Sequence, residues 1–146
     1  MFEKLFQLIK DNAEKAVINN PKIAEKNFES IVTEASSTII DVMKSNIESG
    51  RLKDLVAFFQ LKGIYNNPLV NSMVNKFANR LNKYYDLTPN VSYKFAEELI
   101  PAVMIQLVQQ SKNEKIKEFN LGTMFSQLTG NRTDLSGLVN GMMLAS

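Results

Sequence analysis

A chain of 146 residues with 45% hydrophobic and 22% charged side chains is long enough to bury roughly 68–70% of its unfolded surface. Its balance is globular rather than disordered. A formal charge of +2, from 17 basic and 15 acidic residues, neither demands nor excludes an anionic partner. The chain has no cysteine and no histidine, which excludes disulfides, thiolate or imidazole zinc sites and every triad built on Cys or His.

Taken in chain order, helical spacing dominates. Phe2, Leu5, Phe6, Ile9, Ala13 and Ala16 predict a first helix. Asn20-Pro21 sets a side-chain acceptor before a proline, the pattern of an N-cap followed by the first helical position. It predicts that a second, long helix starts there, with Ala24, Phe28, Ile31, Ala35, Ile39 and Val42 along one stripe and Gly50 as its stop. Leu52, Leu55, Val56 and Phe59 predict a short third helix ending at Gly63. Asn67-Pro68 opens a fourth, whose stripe Val70, Met73, Val74, Phe77, Ala78, Leu81 and Tyr85 opposes Asn71, Ser72, Asn75, Lys76, Asn79, Arg80, Asn82 and Lys83. Thr88-Pro89 opens a fifth, carrying Val91, Phe95, Leu99, Ala102 and Val103.

Pro101 falls inside that fifth pattern, where it removes a donor and crowds the carbonyl of Glu97, predicting a kinked or split helix. Ser111-Lys112-Asn113-Glu114 reads as a capping box and predicts a helix start. Leu121, Met124, Phe125 and Leu128 predict a sixth helix stopping at Gly130, and Leu135, Leu138, Val139 and Met142 a seventh over residues 133–144. No stretch alternates at period two for long enough to argue a strand. The expected fold is all-α.

Two strings, "FFQLKG" ending at Gly63 and "FSQLTG" ending at Gly130, punctuate the chain alike. Pro21 and Pro89 are 68 residues apart and the two glycines 67. The spacing predicts a drifted duplication of three helices within one domain: halves 1–66 and 67–130, followed by a tail over 131–146. Each half is too small to bury enough apolar area by itself, so the halves are expected to pack on each other.

Candidate chemistry is sparse. Glu97 and Glu98 are adjacent, so on a helix they point about 100° apart. Glu25 and Glu29 share a helix face, but Lys22 and Lys26 interleave with them and make that face a solvated one. No Asp-rich loop with ligands at alternate positions is present, and no metal or cofactor is expected. Basic residues are spread along the chain, and the densest run, "KNEKIKEF", is half neutralised by Glu114 and Glu118. A nucleic-acid reader would show a basic stripe. Tyr84, Tyr85 and Tyr93, near Lys83 and Lys94, could stack on rings, although tyrosines at helix ends more often close a core.

The N-terminal decapeptide lacks an apolar run and a cleavage site, and no stretch approaches the ~18 apolar residues of a membrane span. Both point to a cytoplasmic protein, in which the Asn90-Val91-Ser92 and Asn131-Arg132-Thr133 triplets are chance matches to a glycosylation acceptor. In the tail, Gly137 and Gly141 bracket the stripe Leu135, Leu138, Val139 and Met142. The two glycines permit close helix approach and cost about 2 kcal/mol against alanine. The tail helix is therefore expected to form only when docked, with those four residues against a protein surface.

The segment "ELIPAVMIQLV" from Glu98 to Val108, the Leu121-Gly122 pair, the short run to Gly130 and the Gly/Leu/Met tail from Gly137 to Met143 resemble the YidB-type bacterial proteins. That resemblance covers about half the chain. It implies small homeodomain-like helical units and carries over no catalytic residue. The function expected is that of a non-catalytic helical module acting by protein–protein or self-association. Homeodomain-like nucleic-acid binding is the second reading, and an enzyme built on Glu, Lys and Tyr the third.

Overall fold

The computed structural model describes residues 2–60 and 67–144. Local chemistry sets most helix boundaries. Among the described residues seven α-helices follow in order: α1 (Phe2–Ile18), α2 (Phe28–Glu48), α3 (Leu52–Gln60), α4 (Pro68–Tyr84), α5 (Pro89–Ser111), α6 (Leu121–Leu128) and α7 (Ser136–Leu144). No strand occurs among the described residues. At α4 the Asn67 side chain accepts from the Leu69 N–H at 2.9 Å. At α5 the Thr88 hydroxyl accepts from the Val91 N–H at 3.3 Å, and in both a proline occupies the first turn. Gly50 and Gly130 adopt left-handed φ of 79° and 71° and close α2 and α6 in the same way. Arg51 N–H reaches the Asn46 carbonyl and Asn131 N–H the Ser126 carbonyl, while each glycine N–H bonds the carbonyl three residues back. This is the two-bond Schellman stop that glycine favours, having no Cβ to clash. Gly63 lies outside the described residues.

Two sequence-based helix starts are corrected. α2 does not begin at Pro21. Asn20 is buried and its Nδ2 donates back to the Ala16 carbonyl at 2.8 Å and across to Glu98 Oε2 at 3.3 Å. It therefore finishes α1 instead of capping α2. A 3-10 turn at Glu25–Asn27 follows and α2 starts at Phe28; Ile23, not Ala24, enters the core. Glu25 and Glu29 consequently do not share one helix face. The expected capping box at Ser111 also fails. The Ser111 hydroxyl donates to the Val108 carbonyl at 2.7 Å, satisfying an orphan acceptor at the end of α5. The chain then runs through a 3-10 turn at Lys117–Phe119, and Asn120 caps α6.

The four long helices form a closed ring, α1 against α2, α2 against α4, α4 against α5 and α5 against α1. Neighbours run antiparallel. Asn12 meets Gln106 and Asn20 meets Glu98 across α1 and α5, and Lys10 reaches Glu29 between α1 and α2. The result is an up-down-up-down four-helix bundle. The short helices α3, α6 and α7 gather at the end where α2 and α5 finish: α2 carries α3 and α6, and α7 lies on both. α5 has buried residues on most of its circumference, from Phe95 and Ala96 to Leu107 and Val108, because α1, α4 and α3 all pack on it. α5 continues unbroken through Pro101, so the helix is not split there.

The fold does not establish the duplication. α1 and α4 are each 17 residues long, and α1 meets α5 as α4 meets α2. The 3-10 turn, however, precedes α2 in the first half and follows α5 in the second.

Two polar ties set the register. Arg80 donates to the Thr38 hydroxyl and to the Asp41 carboxylate, both at 2.9 Å, fixing α4 on α2. Asn12 and Gln106 exchange two amide hydrogen bonds, at 3.0 and 3.1 Å, between α1 and α5. Replacing Gln106 with leucine leaves the buried Asn12 carbonyl oxygen without its partner and is expected to cost about 1–3 kcal/mol. Adding Asn12→Leu removes the orphaned group and should recover most of that loss in urea unfolding. A double variant as unstable as the sum of the singles would refute the pairing.

Candidate functional site

The tail helix is seated by α6. Ser126 is buried in α6, and its hydroxyl donates to the Gly122 carbonyl at 2.6 Å and accepts from the Leu135 N–H at 2.9 Å. The Asp134 carboxylate accepts from the Ser136 N–H at 3.0 Å, holding the first turn of α7. An added Cβ on Gly122 would lie 2.8 Å from the Ser136 Cα and 2.7 Å from its hydroxyl. Gly122 is therefore the glycine that lets α7 approach. Gly137 and Gly141, singled out by the sequence for that role, have nothing within 4 Å of an added Cβ.

Of the four predicted anchors, Val139 is fully buried, Leu135 is buried and Met142 is half-buried against the core. Leu138 points the other way and is 54% exposed. α7 itself begins at Ser136 rather than at residue 133. The stripe is interrupted because α3 and α6 cover only one side of a nine-residue helix. On the outer side Gly137, Leu138, Gly141 and Leu144 lie together, and α7 carries no charged side chain. Burying Leu135 and Val139 contributes about 1.5–3 kcal/mol each, against about 2 kcal/mol lost to the two glycines. The seat is thus shallow in energy.

A second concave surface lies between α4 and α5, at the opposite end of the bundle. This groove, of about 650 Å³, is lined from α4 by Asn75, Ala78, Asn79 and Asn82 and from α5 by Pro89, Asn90, Tyr93, Lys94, Glu97 and Glu98. Glu97 and Glu98, which diverge on the helix, thus border one groove. Lys94 donates to the Asn19 carbonyl at 3.2 Å, Glu98 accepts from Asn20, and Asn82 Nδ2 donates to the Leu87 carbonyl at 2.7 Å. The sequence stripe marked these α4 asparagines only as a polar face. Their shared concavity depends on how α5 packs. Among the described residues no group of three or more Asp or Glu could hold a metal ion, and no helix is long and apolar enough to cross a membrane.

Among the described residues three groups have displaced pKa values. Asp134 is held below the usual carboxylate range by the Ser136 N–H and then by the Ser136 hydroxyl. Glu118 is lowered by its own backbone N–H and next by Lys4, 3.3 Å away. Tyr85 is raised by burial, with Glu34 adding to the shift. The two lowered carboxyls contribute stability that is complete above their ordinary values of 4.5 and 3.8 and is lost as pH falls through the lower folded values. The Tyr85 contribution is present below pH 10.0 and is lost as pH rises through the raised value. With no histidine in the chain, thermal midpoints at pH 6 and 8 should coincide, while these three groups contribute losses below about pH 4.5 and above about pH 10. A shift of several degrees between pH 6 and 8 would contradict this.

The arrangement defines an all-α helical bundle with a short helical tail docked at one end. No protein-family model, curated protein or solved structure matches the chain.

Proposed function

We propose that the chain is a non-catalytic helical module that acts by association with a protein surface, through the outward side of α7. The observation that carries this reading is the uncharged face of Gly137, Leu138, Gly141 and Leu144, with Leu138 54% and Leu144 87% exposed. Glycine at 137 and 141 lets a second helix come close to the backbone, and the two leucines supply apolar area on either side. Self-association is the first form of the reading, because one face offers both the shallow strip and the side chains that would fill it.

A non-catalytic role is supported by the lack of His and Cys and by the engagement of Glu98 and Lys94 with the end of α1. The resemblance of the α5–α7 segment to YidB-type proteins fits this reading, since it brings no catalytic residue. A cytoplasmic site of action fits the absence of cysteine. Nucleic-acid binding is the weaker alternative: Lys4, Lys10, Lys44 and Arg80 each face a carboxylate, and the basic residues are spread along the sequence among a nearly equal number of acids.

Leu138→Asp tests the proposal. Its side chain is on the surface, so the fold should hold, with a thermal midpoint within about 2 °C of the parent. Light scattering across a concentration series should show the parent growing in mass and the variant remaining a monomer. A parent that stays monomeric throughout removes self-association. A nuclease-treated lysate in which neither the parent nor Leu138→Asp retains any protein removes the broader reading.

A further inference from the structure

The groove between α4 and α5 is independent of the α7 face and has a chemistry of its own. Asn75, Asn79 and Asn82 recur at one-turn spacing on α4 and face Asn90, Tyr93 and Glu97 of α5. The side chains of Asn75, Asn79, Asn90, Tyr93 and Glu97 make no hydrogen bond within the described residues. Asparagine is a poor helix former, roughly 0.6 kcal/mol below alanine. Three on one stripe of α4 therefore weaken that helix where Glu or Lys would serve equally well as a solvated face.

We propose that this groove binds a neutral oligosaccharide. Each primary amide offers a donor and an acceptor side by side, the pattern that two adjacent hydroxyls of a pyranose complete. Asn75 to Asn82 spans about 10 Å along the helix axis, the length of two sugar rings. Tyr93 is 47% exposed and presents an amphipathic ring on which the C–H face of a sugar stacks. Glu97 supplies one further acceptor for hydroxyl groups.

Other ligand classes fit worse. A phosphate-bearing ligand would find one cation, Lys94, already on the Asn19 carbonyl and flanked by Glu97 and Glu98. A lipophilic ligand would find only Ala78, Pro89 and the Tyr93 ring. A peptide would meet two helices and no strand edge on which to pair its backbone. The volume of about 650 Å³ lies in the range of small-ligand sites, roughly 300–1,000 Å³.

The test titrates the full-length 15N-labelled chain with cellohexaose, chitohexaose and maltohexaose. At least one should bind with a Kd on the order of 1 mM or tighter and shift the side-chain amide signals of Asn75, Asn79 and Asn90. Asn79→Ala and Tyr93→Ala should each weaken that binding by about tenfold, a change of roughly 1.4 kcal/mol. Both sites are on the surface, so thermal midpoints should stay level or, for Asn79→Ala, rise. Three silent sugars overturn the proposal. So does binding that moves other residues or survives both substitutions, or an extended Ser/Ala hexapeptide that occupies the groove while the sugars do not. None of these outcomes bears on the α7 face, which Leu138→Asp tests separately.

Discussion

Replacing Phe59 with alanine should remove about 3–5 kcal/mol of stability. Phe59 is buried near the end of α3, with its ring edge-on to Phe58 at 5.3 Å and to Phe125 of α6 at 5.6 Å. Such edge contacts add about 0.5–1.5 kcal/mol to what apolar burial itself contributes. The phenyl ring joins the two short helices under α7, so its loss opens a void that neither can collapse to fill. Against a total of about 5–15 kcal/mol for a domain, the variant should approach the edge of folding. Denaturant unfolding reads the effect as a lower midpoint at constant slope. Phe2→Ala, at an exposed position, should change stability by about 0.5 kcal/mol or less. Equal effects from the two substitutions would show that Phe59 does not join α3 to α6.

The second large effect is a reversal of sign for one substitution at two glycines. Alanine at Gly137 meets nothing within 4 Å and should stabilise by about 1 kcal/mol through helix propensity. Alanine at Gly122 gains the same propensity, but its Cβ would sit 2.8 Å from the Ser136 Cα. Backbone cannot rotate away as a flexible side chain can, so α7 must lift. That strains the 2.9 Å bond from Leu135 N–H to the Ser126 hydroxyl and uncovers Val139. Overpacking of this kind costs about 1–3 kcal/mol, or several degrees in thermal midpoint. Hydrogen exchange at the Val139 amide, whose N–H bonds the Leu135 carbonyl at 2.9 Å, should quicken in Gly122→Ala and slow in Gly137→Ala when both are measured on dilute monomer. Two stabilised variants would mean that α7 is not seated as described.

Sequence alone determined the all-α class and those boundaries governed by neighbours within one helical turn. Asn67-Pro68 and Thr88-Pro89 start α4 and α5 because their caps close on N–H groups two or three residues ahead. Gly50 and Gly130 stop α2 and α6 because a left-handed residue is needed there. The stripe of α4, from Val70 to Leu81, is buried as its period requires.

Tertiary structure decided the rest, because partners distant along the chain have no local signature. Asn20-Pro21 has the same local pattern as Asn67-Pro68. Yet Asn20 turns toward the end of α1 and Glu98, 78 residues away, and α2 begins seven residues later than Pro21. Gly122 rather than Gly137 permits the close approach of α7, and Leu138 falls outside the seat, because α3 and α6 meet α7 on one side only. The asparagines of α4 line a groove only because α5 lies beside them. A helix can specify its own turns and caps; which side its neighbours cover depends on the packing of the whole bundle.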